Sequence, residues 1–152
     1  MAAELMDHKV SECDVMRAVQ AIQPTATLAY RRETVITGLV GALMLREPAV
    51  DLLMRGDFDA ADVDLDLLAG PGEAPAIGYG WGIAASTKTA GEAVMAFGVE
   101  LMQGPLAELG MVCRAVTPVG RHVCMTRFGY RPLRHPDDGM LIRPARTSGA
   151  LP

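Results

Sequence analysis

The chain has 152 residues, of which 50% are hydrophobic and 21% charged, and its formal net charge is −4. This length predicts one domain that buries roughly 70% of its unfolded surface. The negative charge argues against a nucleic-acid-binding surface. Neither a signal peptide nor a membrane span is expected, because the first residues are mixed and the apolar runs fall short of ~18 residues. The widely spaced Cys13, Cys113 and Cys124 predict reduced thiols in a cytoplasmic protein.

The N-terminal third predicts a strand over 5–10 and a helix over 12–22. Ser11, with Asp14 three residues later, is similar to a capping box that would open this helix. The apolar run 34–45 fits a buried helix or two short strands, and periodicity does not separate them. We favour a helix that breaks near Glu47 and Pro48, followed by a second helical segment over 49–54.

The next stretch is acidic, with five aspartates between residues 57 and 66. Carboxylates at alternate positions suit a hard cation, but the segment lacks the glycine and the glutamate of a helix-loop-helix calcium site. We therefore predict no metal site here. The preferred interpretation is an edge strand over 63–67 with one apolar face and one aspartate face.

Residues 77–83 alternate glycine with larger side chains and predict a strand that bends or lies close to other backbone. Two interpretations are open. Glycines 78, 80 and 82 could leave one face bare for a ligand, while Tyr79 and Trp81 pack on the other face. Alternatively, the glycines only accommodate a closely packed helix or a bulge.

The hexapeptide Lys88-Thr-Ala-Gly-Glu-Ala93 follows that strand and opens a helical pattern over 90–103. The first turn of a helix has N–H groups without internal partners and the positive end of the macrodipole, and a glycine there lets a ligand approach the backbone. This arrangement suits a phosphate. Gly104 and Pro105 should end the helix, and a short second piece is expected over 105–109 with Gly110 as its C-cap.

Further along the chain we predict a strand over 111–116 and a short helix with Thr117 as N-cap and Pro118 in its first turn. Gly129 occupies the position of a left-handed C-cap glycine. Arg131 and Pro132 resume an extended chain, and a last strand is expected over 140–144.

Taken in order, residues 76–144 resemble the GNAT family of acyl-CoA-dependent N-acetyltransferases. Lys88-x-x-Gly-x-Ala93 is similar to the Arg/Gln-x-x-Gly-x-Gly/Ala signature with which that family grips the coenzyme A pyrophosphate. The resemblance implies a single α/β domain over 1–152 with a mixed sheet layered by helices. It also implies acetyl-CoA or another acyl-CoA as cofactor, held by Lys88, Gly91, Glu92 and Ala93, and an amine as substrate.

Two positions depart from the family pattern. Lys88 stands where arginine or glutamine is usual and offers a point charge without a planar fork. Met125 stands where many members have a general-acid tyrosine, and a thioether has no proton to give. Cys124 points about 100° away from it on a helix. Catalytic residues are therefore unassigned, and His122 alone does not define a base.

The departures keep an alternative open. The family includes domains that retain the fold and lose the chemistry, among them small proteins carried in bacteriophage virions, and this chain is similar to those in size and in its short helix with Arg121 and His122. That resemblance implies an inactive structural or interaction subunit, as a homo-oligomer or within a larger assembly such as a virion.

Overall fold

A computed structural model describes residues 12–146 of the chain. The predicted strand over 5–10, Ser11 and the tail from residue 147 lie outside the described residues. The described part is a mixed α/β domain of four α-helices and six strands. In chain order the elements are α1 (Cys13–Ile22), β1 (Thr27–Arg32), β2 (Val35–Leu45), α2 (Glu47–Arg55), β3 (Ile77–Ala85), α3 (Lys88–Gln103), β4 (Met111–Arg114), α4 (Pro118–Arg127), β5 (Arg131–Pro132) and β6 (Met140–Arg143).

Within residues 12–146 the strands form one sheet in the order β1-β2-β3-β4-β6-β5. Only the β3–β4 pair is parallel; the other neighbours are antiparallel. Side chains alternate between the two sides of a strand, so the sheet has a core on each face. On one face α1 and α2 cover a cluster that includes Leu43, Leu45 and Val112. On the other, the ends of α3 and α4 cover Met111, Cys113 and Leu141.

The helix favoured for 34–45 is wrong, because Val35–Leu45 is the long strand β2. This strand lies between β1 and β3, so its backbone pairs on both sides. A strand covered on both faces reads as a continuous apolar run, which periodicity cannot distinguish from a buried helix. The boundary predicted near Glu47 and Pro48 is confirmed, because α2 begins there and Pro48 lies in its first turn.

Two short elements also differ from the predictions. Residues 63–67 are not an edge strand: a 3₁₀ turn spans Leu65–Leu67, because the carboxylate of Asp64 accepts a hydrogen bond from the N–H of Asp66 and curls the chain. Residues 105–109 form consecutive turns instead of a helix. The buried guanidinium of Arg143 donates to the carbonyl oxygens of Leu106 and Leu109 at 2.6 and 3.1 Å, so a side chain replaces helical N–H donors there.

The predicted stops of the two later helices and the Thr117 cap are confirmed, whereas α3 begins at Lys88, two residues before the predicted Ala90. Thr87 caps α3 by accepting from the N–H of Ala90, and Thr117 caps α4 by accepting from the N–H of Gly120. Helix α3 ends at Gln103, directly before Gly104 and Pro105. Gly129 has φ 72°, the left-handed conformation that ends α4 and returns the chain to the sheet.

A β-bulge in β3 controls the middle of the sheet. Gly80 pairs with Ala42 and Gly82 pairs with Gly41, so Trp81 is an extra residue between them. On its other edge β3 pairs with β4 only through Gly78, Tyr79 and Gly80. Among the described strands, none continues this pairing along residues 81–85. A bulge bends its strand and can end pairing, so β3 and β4 part immediately after it.

Candidate ligand cleft

The gap between β3 and β4 opens into a cavity of about 830 Å³. The cavity is walled by the second half of β3, by the end of β4, and by α3 and α4, and it reaches through the sheet to the loop at 57–61. Its size lies within the 300–1,000 Å³ typical of small-molecule sites. Because β3 and β4 are parallel, the N-termini of the helices that follow them, α3 and α4, lie at the same edge of the sheet. Ligands in open α/β sheets bind at such strand ends.

Of the three glycines of β3, two serve close packing and one leaves space for a ligand, so each of the two interpretations applies to part of the strand. A Cβ at Gly78 would lie 2.1 Å from the sulfur of Met111, so that glycine serves close packing. A Cβ at Gly80 would lie 3.1 Å from the Cβ of Cys113, which is also tight. At Gly82 a Cβ would meet nothing within 4 Å, so internal packing does not require a glycine. Gly82 leaves open space in the cavity wall, where a ligand can contact the backbone.

Tyr79 and Trp81 pack on the face of the sheet that α1 and α2 cover, and both also line the cavity where it reaches through the sheet. The indole N–H of Trp81 donates to the carbonyl oxygen of Ala60 at 2.7 Å, and the Tyr79 ring lies 5.1 Å from that of Phe58. Burial raises the pKa of Tyr79 to about 12. Burial also raises the pKa of Tyr130, which lines the cavity from the far side. Both hydroxyls therefore keep their protons at neutral pH.

Helix α4 presents Thr117, Gly120, Cys124 and Phe128 to the cavity, at the spacing of one helical face. Met125 lies on the outer side and is 40% exposed, and it is not part of the lining. Cys124 diverges from Met125 by about 100° around the helix, and that divergence turns Cys124 inward. On α4, the thiol of Cys124 and not the thioether of Met125 therefore faces the cleft. His122 is exposed and also lies outside the lining.

The Cys124 thiol faces Cys113 on β4 across 3.9 Å, with Cys113 as the hydrogen-bond donor. Cys113 is buried, whereas Cys124 is half-buried. The hydrogen bond to Cys124, together with burial, raises the pKa of Cys113 far above its usual value. Accepting that hydrogen bond lowers the pKa of Cys124. The two thiols are thus unequal, and Cys124 is the one that ionises first.

The residues predicted to hold pyrophosphate lie at the start of α3, a rim that adjoins the cavity beside Ala85, whereas α3 lines the cavity itself with Gly98, Leu101 and Met102 from its second half. The side chains of Lys88 and Glu92 are 91% and 67% exposed and approach each other at 3.9 Å. A Cβ at Gly91 would lie 3.8 Å from the Cβ of Ala85, a cavity-lining residue, which is an ordinary contact. The N–H groups of the first two residues of α3 have no intrahelical acceptor. Ala93 is half-buried one turn further in.

Sequence reasoning missed the pair formed by Cys113 and Cys124, because their separation in sequence hides their proximity. The available signal was the helical spacing of Cys124 from the N-cap Thr117. Between residues 12 and 146, no three His, Cys, Asp or Glu side chains converge as metal ligands would. Aspartates of the acidic segment instead have nearby protein partners: Asp57 accepts from the guanidinium of Arg55, and Asp59 accepts from the N–H groups of Ala61 and Asp62.

None of the helices in the described range combines the length and hydropathy needed to cross a lipid bilayer. Comparison of the chain with protein-family models, with curated proteins and with solved structures gives no match.

Proposed function

We propose that this protein binds an acyl-CoA in the cleft between β3 and β4 and, as a GNAT-like N-acyltransferase, transfers the acyl group to an amine. The observation that carries the proposal is the parting of two adjacent parallel strands after Gly80, beneath the N-termini of α3 and α4. An acyl-pantetheine chain needs a long, largely apolar slot with polar backbone along it, and a pyrophosphate needs helix N–H donors at the rim.

The rim supports this assignment on charge as well as on shape. The macrodipole of α3 places partial positive charge at its first turn, where Lys88 adds a full charge. The Lys88 side chain extends into solvent, and its ion pair with Glu92 is exposed. Breaking such a pair costs little free energy, so Lys88 can turn to a phosphate. Gly91 leaves the backbone accessible beside Ala85.

Acetyl-CoA titration tests the binding step. At ~100 times its dissociation constant, a ligand that binds only the folded state adds about 2.7 kcal/mol of stability, and in a domain of this size the melting temperature rises by roughly 5–10 °C. We expect Gly91→Glu to abolish this shift, because it puts bulk and negative charge against the pyrophosphate.

Two variants control that test. Gly91→Ala has room for its methyl group and should fold at least as stably as the parent. Gln20→Glu adds the same charge on the exposed side of α1, far along the chain from the rim, and should retain the full shift. No shift in the parent at millimolar acetyl-CoA contradicts the proposal.

A second function is favoured by one observation. Met125 lies where the resemblance expects a proton donor, and its side chain points away from the cleft. A domain that keeps the cleft and lacks this donor would serve as a binding or structural subunit. Acetyl-CoA binding without transfer to a panel of polyamines and peptide amines would select this function over the enzyme.

A further inference from the structure

We propose that Cys113 and Cys124 form a dithiol site that a peroxide oxidises to a disulfide inside the cleft. The pair comes from two different elements, β4 and α4, and both residues line the same cavity. Their sulfurs are 3.9 Å apart and already share a hydrogen bond, so the side chains point at each other. A disulfide requires an S–S distance near 2.05 Å, so the two sulfurs must approach each other by about 2 Å more.

The two thiols differ in the way a reactive and a resolving cysteine must differ. Cys124 is half-buried and faces an open cavity of about 830 Å³, which admits a small peroxide. Cys113 is only 8% exposed and has its proton directed at the Cys124 sulfur. That proton stabilises a Cys124 thiolate, consistent with the lowered pKa of Cys124. Oxidation-sensitive cysteines are accessible thiolates that lie beside a second thiol.

The reaction balances in two steps. The Cys124 thiolate attacks one oxygen of hydrogen peroxide, the O–O bond breaks, and the products are the Cys124 sulfenic acid and hydroxide, which takes up a proton to become water. The Cys113 sulfur then attacks the Cys124 sulfur, the S–O bond breaks, and the hydroxyl leaves with the Cys113 proton as a second water. Peroxide is reduced, and the two thiols lose two electrons.

The product would change the cleft. The new bond ties α4 to β4 at the inner wall and removes the thiol surface that Cys124 presents to the cavity. A reductant such as a small dithiol would restore both thiols, so the site is reversible. This inference stands on the cavity and the thiol geometry and does not rest on the proposed function.

The test uses the full chain in a Cys13→Ser background, because Cys13 is exposed and would react by itself. The reduced protein is treated with equimolar hydrogen peroxide, quenched with catalase, alkylated and digested with trypsin without reduction. We expect a linked pair of peptides, 89–114 with 122–127, that disappears after dithiothreitol treatment. The undigested protein should remain a monomer and lose two hydrogen atoms in mass.

Two variants assign the order of attack. Cys113→Ser should hold Cys124 as a sulfenic acid that dimedone traps, and Cys124→Ser should lose the Cys113 thiol at least tenfold more slowly than the parent. Matching far-ultraviolet circular dichroism would show that both variants fold. The proposal is overturned if Cys124 in the parent proceeds to sulfinic acid while Cys113 stays alkylatable, or if the peptides are linked only between chains.

Discussion

Tyr79 shows how a single side chain ties stability to pH in this fold. Only 6% of Tyr79 is exposed, and this burial raises the pKa of its hydroxyl to about 12. An unfolded tyrosine ionises near pH 10. Between these values the unfolded chain gives up the proton and the folded chain keeps it, so stability falls as pH rises. Below about pH 10 the hydroxyl is neutral in both states, and its contribution is fully present.

We therefore expect the free energy of unfolding to fall between about pH 10 and pH 12, and Tyr79→Phe to remove on the order of 2 kcal/mol of that fall. Urea unfolding of the parent and the variant at several alkaline pH values measures the difference. Near pH 7 the free energy of unfolding should depend on pH to nearly the same degree in the two proteins. Equal alkaline slopes for parent and variant would show that the Tyr79 hydroxyl reaches solvent.

The contrast between Cys124 and Met125 shows what sequence reasoning can say about a single site residue. The helical spacing correctly separated the two side chains by about 100°. It did not say which of them faced inward, because that depends on how α4 rotates against β4. Tertiary contacts fix that rotation, among them the packing of Phe128 on α3, where a Cβ at Gly98 would lie 3.2 Å from the ring. Such contacts join residues far apart in the chain.

At the scale of elements, the beginnings of α3 and α4 are encoded locally. Each starts with a threonine whose Oγ1 accepts from an N–H three residues later, at 3.2 Å for α3 and 3.0 Å for α4. These caps satisfy donors that would otherwise remain free at the cleft rim.

Thr117→Ala should lower the free energy of unfolding by about 1 kcal/mol, while Thr117→Ser, which keeps the hydroxyl, should cost little. Thr126→Ala is the matched control on the same helix, because that exposed hydroxyl only donates back to the carbonyl of His122 and should stay within about 0.5 kcal/mol. Urea titrations provide the comparison. If Thr126→Ala costs as much as Thr117→Ala, the loss is one of general helix propensity and the cap has no special part.

The elements that sequence analysis predicted well from local signals are α3, α4, strand β3 and the turn at Gly129. Helix α1 has nearly the predicted range, but its N-cap is Glu12, which makes no side-chain capping hydrogen bond. The prediction for β2 was wrong because a strand here depends on pairing with β1 and β3, and because its apolar residues face a core on both sides. The segment at 63–67 failed because an aspartate turn competed with an alternating pattern. The mixed α/β class was predicted, whereas the bulge at Trp81 was only one of two open interpretations of the glycines.

For the whole molecule, the sheet consists of two antiparallel halves, β1 to β3 and β4 to β6. They are joined by the parallel pairing of β3 with β4, which we call the seam. Strands β2 and β3 share eight paired positions, whereas β3 and β4 share three. The β4–β6 half is held to the other half through that seam and through the two cores. Regions with fewer ladder contacts open at lower free energy than the rest of a domain.

Native-state hydrogen exchange should therefore resolve two groups of amides. We expect those of residues 39–45 to be the most protected, and those of 111–114 and 140–143 to exchange at least tenfold faster. Mass spectrometry of peptic fragments can measure both groups in one experiment. A single exchange free energy across all these strands would mean that the sheet opens as one unit and that the seam is as strong as the ladders beside it.

The parting of β3 and β4 leaves a strand edge inside the protein. Along residues 81–85, backbone N–H and C=O groups on the β4 side meet the cavity and not another described strand. An unpaired edge is a template for strand addition between chains, which is how sheets begin to aggregate. A molecule that fills the cleft covers this template as it binds. An occupant of the cleft would therefore also protect the protein from aggregation at high concentration, because the opening and the unpaired edge both follow the extra residue Trp81.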